Sequence, residues 1–297
     1  MVNVYEQITR NKIRSGFIIS LFTAFVILVA YLITYAFNLD NSFLIIAIIF
    51  SIFSSGASYF YGDKMVLGLN KARPATRKEF FDFYTVTENL SLANQTPVPK
   101  IYVIDSPAPN AFATGRDPEH AVICATTGLL EKLNRTELEA VVAHELSHIK
   151  NYDIRLMTIV SILIGTLSIL INLASRSMFF GGGRRNNDNN NEGGIILAVV
   201  GIVLIIFAPL IAQLIQLAIS RRREYFADAS AVKLTRQPQG LIDALTKISS
   251  DPSKLETAST ATASLYITNP FKGNKIASLF STHPPIEDRI KALQQML

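Results

Sequence analysis

Long apolar runs alternate along this chain with short polar stretches, and the lengths of those runs set the first expectations. Gly16 to Phe37 (GFIISLFTAFVILVAYLITYAF) and Ser42 to Tyr61 are each near the roughly 20 residues a helix needs to cross hydrocarbon. Only FNLDN lies between them, so they are predicted to form a helical hairpin. A second pair, Leu156 to Leu173 and Gly194 to Ile219, flanks a Gly- and Asn-rich stretch, 174–194, that is too polar to bury a core. Polar residues interrupt this second pair, which fits either another membrane hairpin or helices buried in protein.

Between and after the apolar runs the period changes. Arg77 to Gln95 reads as an amphipathic helix capped by Thr76, with Glu79 at the third helical position and Phe80, Phe83, Tyr84 and Leu90 turned inward. KIYVIDS, PNAFATG and HAVICATTGLL are short β-rich segments punctuated by Pro and Gly, and they predict a small antiparallel sheet. Gly240 to Ser249 and Pro285 to Leu297 carry helical spacing through Leu241, Leu245 and Ile248 and through Ile286, Ile290, Leu293 and Leu297. The expected fold class is therefore α+β and mostly helical, in a multi-spanning membrane protein. Its expected parts are an N-terminal membrane hairpin over 1–62, a first piece of soluble domain over 63–155, a second hydrophobic hairpin over 156–220, and a second piece over 221–297.

Composition agrees: 49% of the 297 residues are hydrophobic, which is high for a soluble globule. The net charge of +5 does not point to nucleic acid, because the basic residues flank apolar runs and are not interleaved with aromatics. Arg10, Lys12 and Arg14 precede the first run, Lys64, Lys71, Arg73, Arg77 and Lys78 follow the second, and Arg221 to Arg223 follow the fourth. Positive residues stay on the cytoplasmic side, which places both termini there. Arg176, Arg184 and Arg185 in the Asn-rich loop weaken that bias without reversing it. The single cysteine, Cys124, excludes an internal disulfide and reads as a small buried hydrophobe.

The candidate chemistry lies in VVAHELSHIKNYD. Asn134 and Glu137 make a capping box for a helix starting at Arg135, with Leu133 and Leu138 as its hydrophobic staple. His144 and His148 then stand one turn apart on the same face, able to hold one ion at about 2 Å. Glu145, about 100° further round, is placed to act on a water rather than to ligate. This is the H-E-x-x-H arrangement, and the otherwise apolar helix (Val141, Val142, Ala143, Leu146, Ile149) marks it as buried. A catalytic zinc site takes three protein ligands, so one more is required. Glu224 and Asp228 in SRRREYFADASAV share a helical face, and either a ligand with its orienting carboxylate or a charged helix start paired with Arg221 to Arg223 fits that spacing. If the fourth run continues unbroken, Gln213, Gln216 and Ser220 extend this face into the membrane as one polar stripe.

The order of motifs resembles the HtpX-type membrane zinc metalloproteases of the bacterial heat-shock response, relatives of the CAAX-prenyl proteases. The likeness runs through the N-terminal hairpin, PNAFATG, HELSHIKNYD, a second hairpin, EYFADASAV and STHPPIEDRI. It implies a zincin-like cytoplasmic protease domain with one Zn2+ per chain, held by His144, His148 and Glu224, with Glu145 as general base and Asp228 orienting a ligand. It also implies that His283 in STHPPIEDRI donates to the oxyanion while Arg289 braces the site. Asn110, Ala111, Phe112 and Ala113 resemble the edge strand to which an extended substrate adds. His120 has no such motif and is expected at the exposed start of a strand.

The resemblance implies polypeptide substrates, membrane proteins among them, contact with the lipid bilayer, no nucleic acid, and a place in the bacterial inner membrane serving protein quality control. Oligomeric state stays open. So do two rival functions: a scaffold with a purely structural zinc, and a hydrolase of lipidated peptides.

Overall fold

The computed structural model describes residues 4–37, 40–165, 221–259, 262–270 and 284–297. The first two apolar runs form α1 (Val4–Phe37) and α2 (Asn41–Leu69). The Asp40 side chain caps α2 by accepting from the Ser42 N–H at 2.8 Å. The two helices pair through small polar residues: Ser51, Ser55 and Ser58 are buried along α2, and Ser55 meets Thr23 of α1 at 3.2 Å. Such residues let helix backbones approach closely in a lipid setting. The opposite face of α2 turns Ile45, Ile46, Ile49, Phe50, Ile52 and Phe53 outward. Among the described residues one helical stretch, Leu44–Leu69, is long and apolar enough to cross a membrane.

The next helix, α3 (Phe81–Asn94), starts four residues later than its sequence pattern predicts. Thr76 does accept from the Glu79 N–H at 3.3 Å, but only as a turn; the Glu79 carboxylate is drawn to Arg73 at 2.6 Å, and Phe80 leaves helical geometry. Phe83 is buried as expected, with Phe80, Tyr84 and Leu90 packed at the edge of the same core.

Four strands follow: β1 (Arg73–Pro74), β2 (Lys100–Ile104), β3 (Ala111–Thr114) and β4 (Val122–Thr126), in the sheet order β1-β2-β4-β3. The sheet is mixed, not antiparallel: β2 and β4 run parallel, from Lys100 opposite Val122 to Ile104 opposite Thr126. After β2 the chain crosses to the far edge to lay down β3, and the β3–β4 hairpin then returns β4 to the middle. β3 and β4 are buried at every position, so neither carries the alternation from which strand order could be inferred. His120 closes a short 3-10 turn (Pro118–His120) just before β4, exposed as expected and held by Asp117 at 2.6 Å.

Helix α4 (Thr127–Lys132) leads into α5 (Arg135–Lys150), and α6 covers 153–165. Beyond it lie α7 (Arg221–Thr235), α8 (Pro238–Ser250) and α9 (Ile286–Gln294). On one side of the sheet, Ile101, Val103, Ala113 and Ile123 meet Leu138, Val142 and Leu146 of α5 and Leu241, Leu245 and Ile248 of α8. On the other side, Phe112, Cys124 and Ile104 meet Val66 and Leu67 of α2 and Met157 of α6. Leu156, Ile159, Val160 and Leu163 of α6 pack on Ile18 and Phe22 of α1, so the described start of the third apolar run is buried in protein. Leu297 does not join the α9 face; the helix stops at Gln294 and Leu297 is exposed.

Candidate active site

The capping box that begins α5 forms as its sequence predicts. Asn134 Oδ1 accepts from the Glu137 N–H at 3.0 Å, and Glu137 Oε2 accepts from the Asn134 N–H at 2.8 Å. From Leu138 to Ile149 only Glu139 escapes burial, so the H-E-x-x-H segment runs through the interior. The two rings stand with centroids 4.8 Å apart and planes at 86°.

The Nε2 atoms of His144 and His148 face each other at 3.2 Å. Glu224, delivered by α7, closes the triangle with Oε2 at 3.6 Å from His144 Nε2 and Oε1 at 3.5 Å from His148 Nε2. Two ligands each about 2.0–2.1 Å from a tetrahedral ion are about 3.3–3.4 Å apart, so these atoms are spaced as the corners of one coordination shell. Among the described residues this is the cluster able to hold a metal.

Each imidazole is held from behind by a carboxylate. His144 Nδ1 lies 2.9 Å from Asp228 Oδ1, and His148 Nδ1 lies 3.1 Å from Asp153 Oδ2. A proton on each Nδ1 leaves the Nε2 lone pairs aimed at the centre, the arrangement that orients metal-binding histidines. Arg289 of α9 is fully buried; its Nε and Nη2 donate to Asp228 at 2.9 and 2.6 Å, and its Nη1 donates to the Ile267 carbonyl at 3.0 Å. Arg289 Nη1 is also 3.5 Å from Glu224 Oε2, and Arg223 Nε is 3.5 Å from Asp153 Oδ1.

Charge gives a second test of fit. The buried carboxylates of Glu145, Asp153, Glu224 and Asp228 surround the buried guanidiniums of Arg223 and Arg289. The carboxylates outnumber the guanidiniums by two, an excess that a dication, or in its place a proton on His144, offsets in an interior that tolerates it poorly otherwise. The imidazole of His144 reports the same field: burial alone favours its neutral form, yet Asp228 and Glu224 outweigh burial and raise its pKa to about 9. Burial likewise works to raise the Asp228 carboxyl, but Arg289 and His144 keep it below the usual carboxylate range.

Glu145 is buried beside this cluster, near enough for its charge to act on Arg289 and on the Cys124 thiol. Asn110 and Ala111 lead into β3, the strand at the sheet edge next to α5. The Thr126 N–H donates to the Asn110 carbonyl at 2.9 Å, so alternation along the ladder turns the backbone groups of Ala111 and Ala113 away from β4. At Ala111 that outward carbonyl already accepts from the Ile267 N–H at 2.9 Å. Asn110 fastens the same segment through its side-chain N–H groups, which donate to the Thr268 carbonyl at 3.1 Å.

The structure thus brings together His144, Glu145, His148, Glu224, Asp228 and Arg289. His283 lies outside the described residues, as do Gln213, Gln216 and Ser220 of the expected stripe. Sequence reasoning missed Asp153 and Arg223 as parts of this centre. Asp153 lies in the same motif, five positions past His148, and its approach depends on a chain reversal at Tyr152, whose φ of 60° is left-handed.

A buried H-E-x-x-H helix whose two histidines face a carboxylate from a separate helix, backed by a small sheet, defines the metalloprotease class. The profile of peptidase family M48 matches residues 82–297, and the chain belongs to that family as an HtpX-type protease. It is 44% identical over 292 residues to the protease HtpX homologue of Dictyoglomus turgidum, covering 98% of this chain and 94% of that one. It is 43% identical over 304 residues to the protease HtpX homologue of Streptococcus uberis, covering 99% and 100%. Among solved structures it is similar to Ste24p of S. mikatae, at 22% identity and a TM-score of 0.47, covering 97% of this chain and 66% of that one.

Proposed function

We propose that this protease is a zinc-dependent endopeptidase of the bacterial inner membrane that hydrolyses misfolded or damaged membrane proteins under stress. In this reading it crosses the bilayer several times and keeps its active site and both termini in the cytoplasm. The observation that carries the reading is the triangle of His144 Nε2, His148 Nε2 and the Glu224 carboxylate, with sides of 3.2, 3.5 and 3.6 Å. Two imidazoles and one carboxylate suit zinc and leave a fourth position for water, which distinguishes a catalytic from a structural site.

Zinc held by these residues would polarise a peptide carbonyl and make a water acidic enough to attack near neutral pH. Glu145 takes the proton of the attacking water and returns it to the leaving amine. Asp228 and Asp153 hold the Nδ1 protons of the two histidines, so the rings do not turn as charge develops. Arg289 braces Asp228 from within the core, and His283 is assigned to donate to the oxyanion.

The substrate is expected to lie extended along β3, over Asn110, Ala111, Phe112 and Ala113. Because Ala111 already pairs with Ile267, the outward backbone groups of Ala113 are the place for the first added hydrogen bonds. A backbone grip of this kind takes unfolded segments with little regard to sequence. The outward apolar face of α2 and the basic residues at its C-terminal end support the membrane setting and its orientation.

The test is stoichiometric metal analysis of the full chain alongside cleavage of casein and of an unfolded membrane protein, with and without chelator, for wild type and Glu145→Ala. One zinc per chain in both proteins, with cleavage only by metal-loaded wild type, is the expected result. Cleavage by Glu145→Ala at the native rate, or preference for a farnesylated peptide over unfolded membrane protein, overturns it.

A further inference from the structure

The turn that follows α5 is clamped from a distant part of the chain. Asn151 ends the helix, Tyr152 reverses the backbone, and Asp153 opens α6 beneath His148. Helix α1 closes on this turn from the other side. Asn11 is buried, and its two side-chain N–H bonds go to Asp153 Oδ1 at 2.7 Å and to the Asn151 carbonyl at 2.9 Å. The next residue, Lys12, holds its ammonium 4.3 Å over the ring centre of Tyr152. All three residues of the turn are therefore gripped by two neighbours at the start of α1, ahead of its apolar run and outside the M48-matched region.

We propose that Asn11 is a positioning residue of the metal centre: through Asp153 it fixes the direction of His148, so helix α1 sets how firmly the ion is held. The inference rests on the metal-binding role given to His148 above. A carboxylate orients an imidazole only while its own rotation is restrained. Asp153 has one oxygen on His148 Nδ1 and the other on Asn11, and the Arg223 guanidinium stands 3.5 Å from that second oxygen. Without the amide, the carboxylate is free to swing toward the guanidinium and leave the imidazole unrestrained. The membrane-run helix then contributes to the chemistry as well as to anchoring.

Full-length protein in lipid nanodiscs is titrated with Zn2+ against a chromophoric chelator, and zinc release is timed. Asn11→Leu, close in size but lacking both donors, is compared with Ser15→Ala one turn on, where among the described residues the lost hydroxyl bonds the Asn11 carbonyl of its own helix at 2.8 Å. Asn11→Leu is expected to weaken zinc binding and speed release about ten-fold. Its kcat on casein should return toward native at saturating zinc with KM unchanged, while Ser15→Ala stays native throughout. If Asn11→Leu does not accumulate, Asn11→Ser is read the same way with a smaller shift. Native zinc affinity and release in the Asn11 variant, an equal loss in Ser15→Ala, or a loss of activity that zinc does not restore overturns the role of Asn11 alone. Wild-type protein that takes up no zinc overturns the metal reading, and this inference with it.

Discussion

Arg289 grips Asp228 with two parallel hydrogen bonds of 2.9 and 2.6 Å, and both side chains are sealed from solvent. Removing one member of such a pair strands the other charge in the interior. Arg289→Met is expected to destabilise the protein by about 3–5 kcal/mol and to lower metal affinity by loosening His144. Pairing it with Asp228→Leu should recover much of the stability and none of the affinity. Chemical denaturation and zinc titration of the single and double variants check both halves.

Glu145 and the ligand triad are expected to fail differently. Glu145→Ala should keep its zinc and lose turnover by about 10²–10⁴-fold or more. His148→Ala and Glu224→Ala should lose zinc and turnover together. Metal content measured on the same samples used for casein cleavage separates the two patterns.

The start of α5 offers a prediction about stability without chemistry. Asn134→Ala removes the acceptor for the Glu137 N–H and should cost about 1 kcal/mol. Asn134→Ser, which caps equally well, should be near neutral. Because Asn134 lies at the far end of the helix from His148, zinc affinity should stay native in both, as read by chelator competition.

Gly115, just past β3, has φ of +139°, and a methyl group there would sit 2.5 Å from the His120 carbonyl oxygen. Gly115→Ala is expected to cost more than about 1 kcal/mol and to displace the strand proposed to bind substrate. A lowered thermal midpoint together with a raised KM on casein is the expected outcome.

What the sequence made legible follows from the range of each interaction. The α5 cap, the one-turn histidine pair and the Glu224 to Asp228 face are all local, and spacing of three or four residues reports them directly. The strands were found as segments, but their order was not, because β3 and β4 are buried on both faces and a parallel neighbour depends on where a loop crosses. Asn11 was invisible for a related reason. It stands among polar residues near the start of the chain, and its partners, Asn151 and Asp153, are about 140 positions away. Asp153 lay in plain view within the motif, yet only the left-handed turn at Tyr152 brings it back to the ring.

The candidate metal cluster is split along the chain, with His144 and His148 near its middle and Glu224, followed by Asp228 and Arg289 that brace the site, well after them. During translation the ribosome therefore releases the histidine helix long before the residues that finish its charge balance. A nascent polypeptide that has reached only α5 holds the histidine pair without Glu224 and without Arg289. In the proposed reading, a complete centre forms only once synthesis has delivered the later helices α7 and α9.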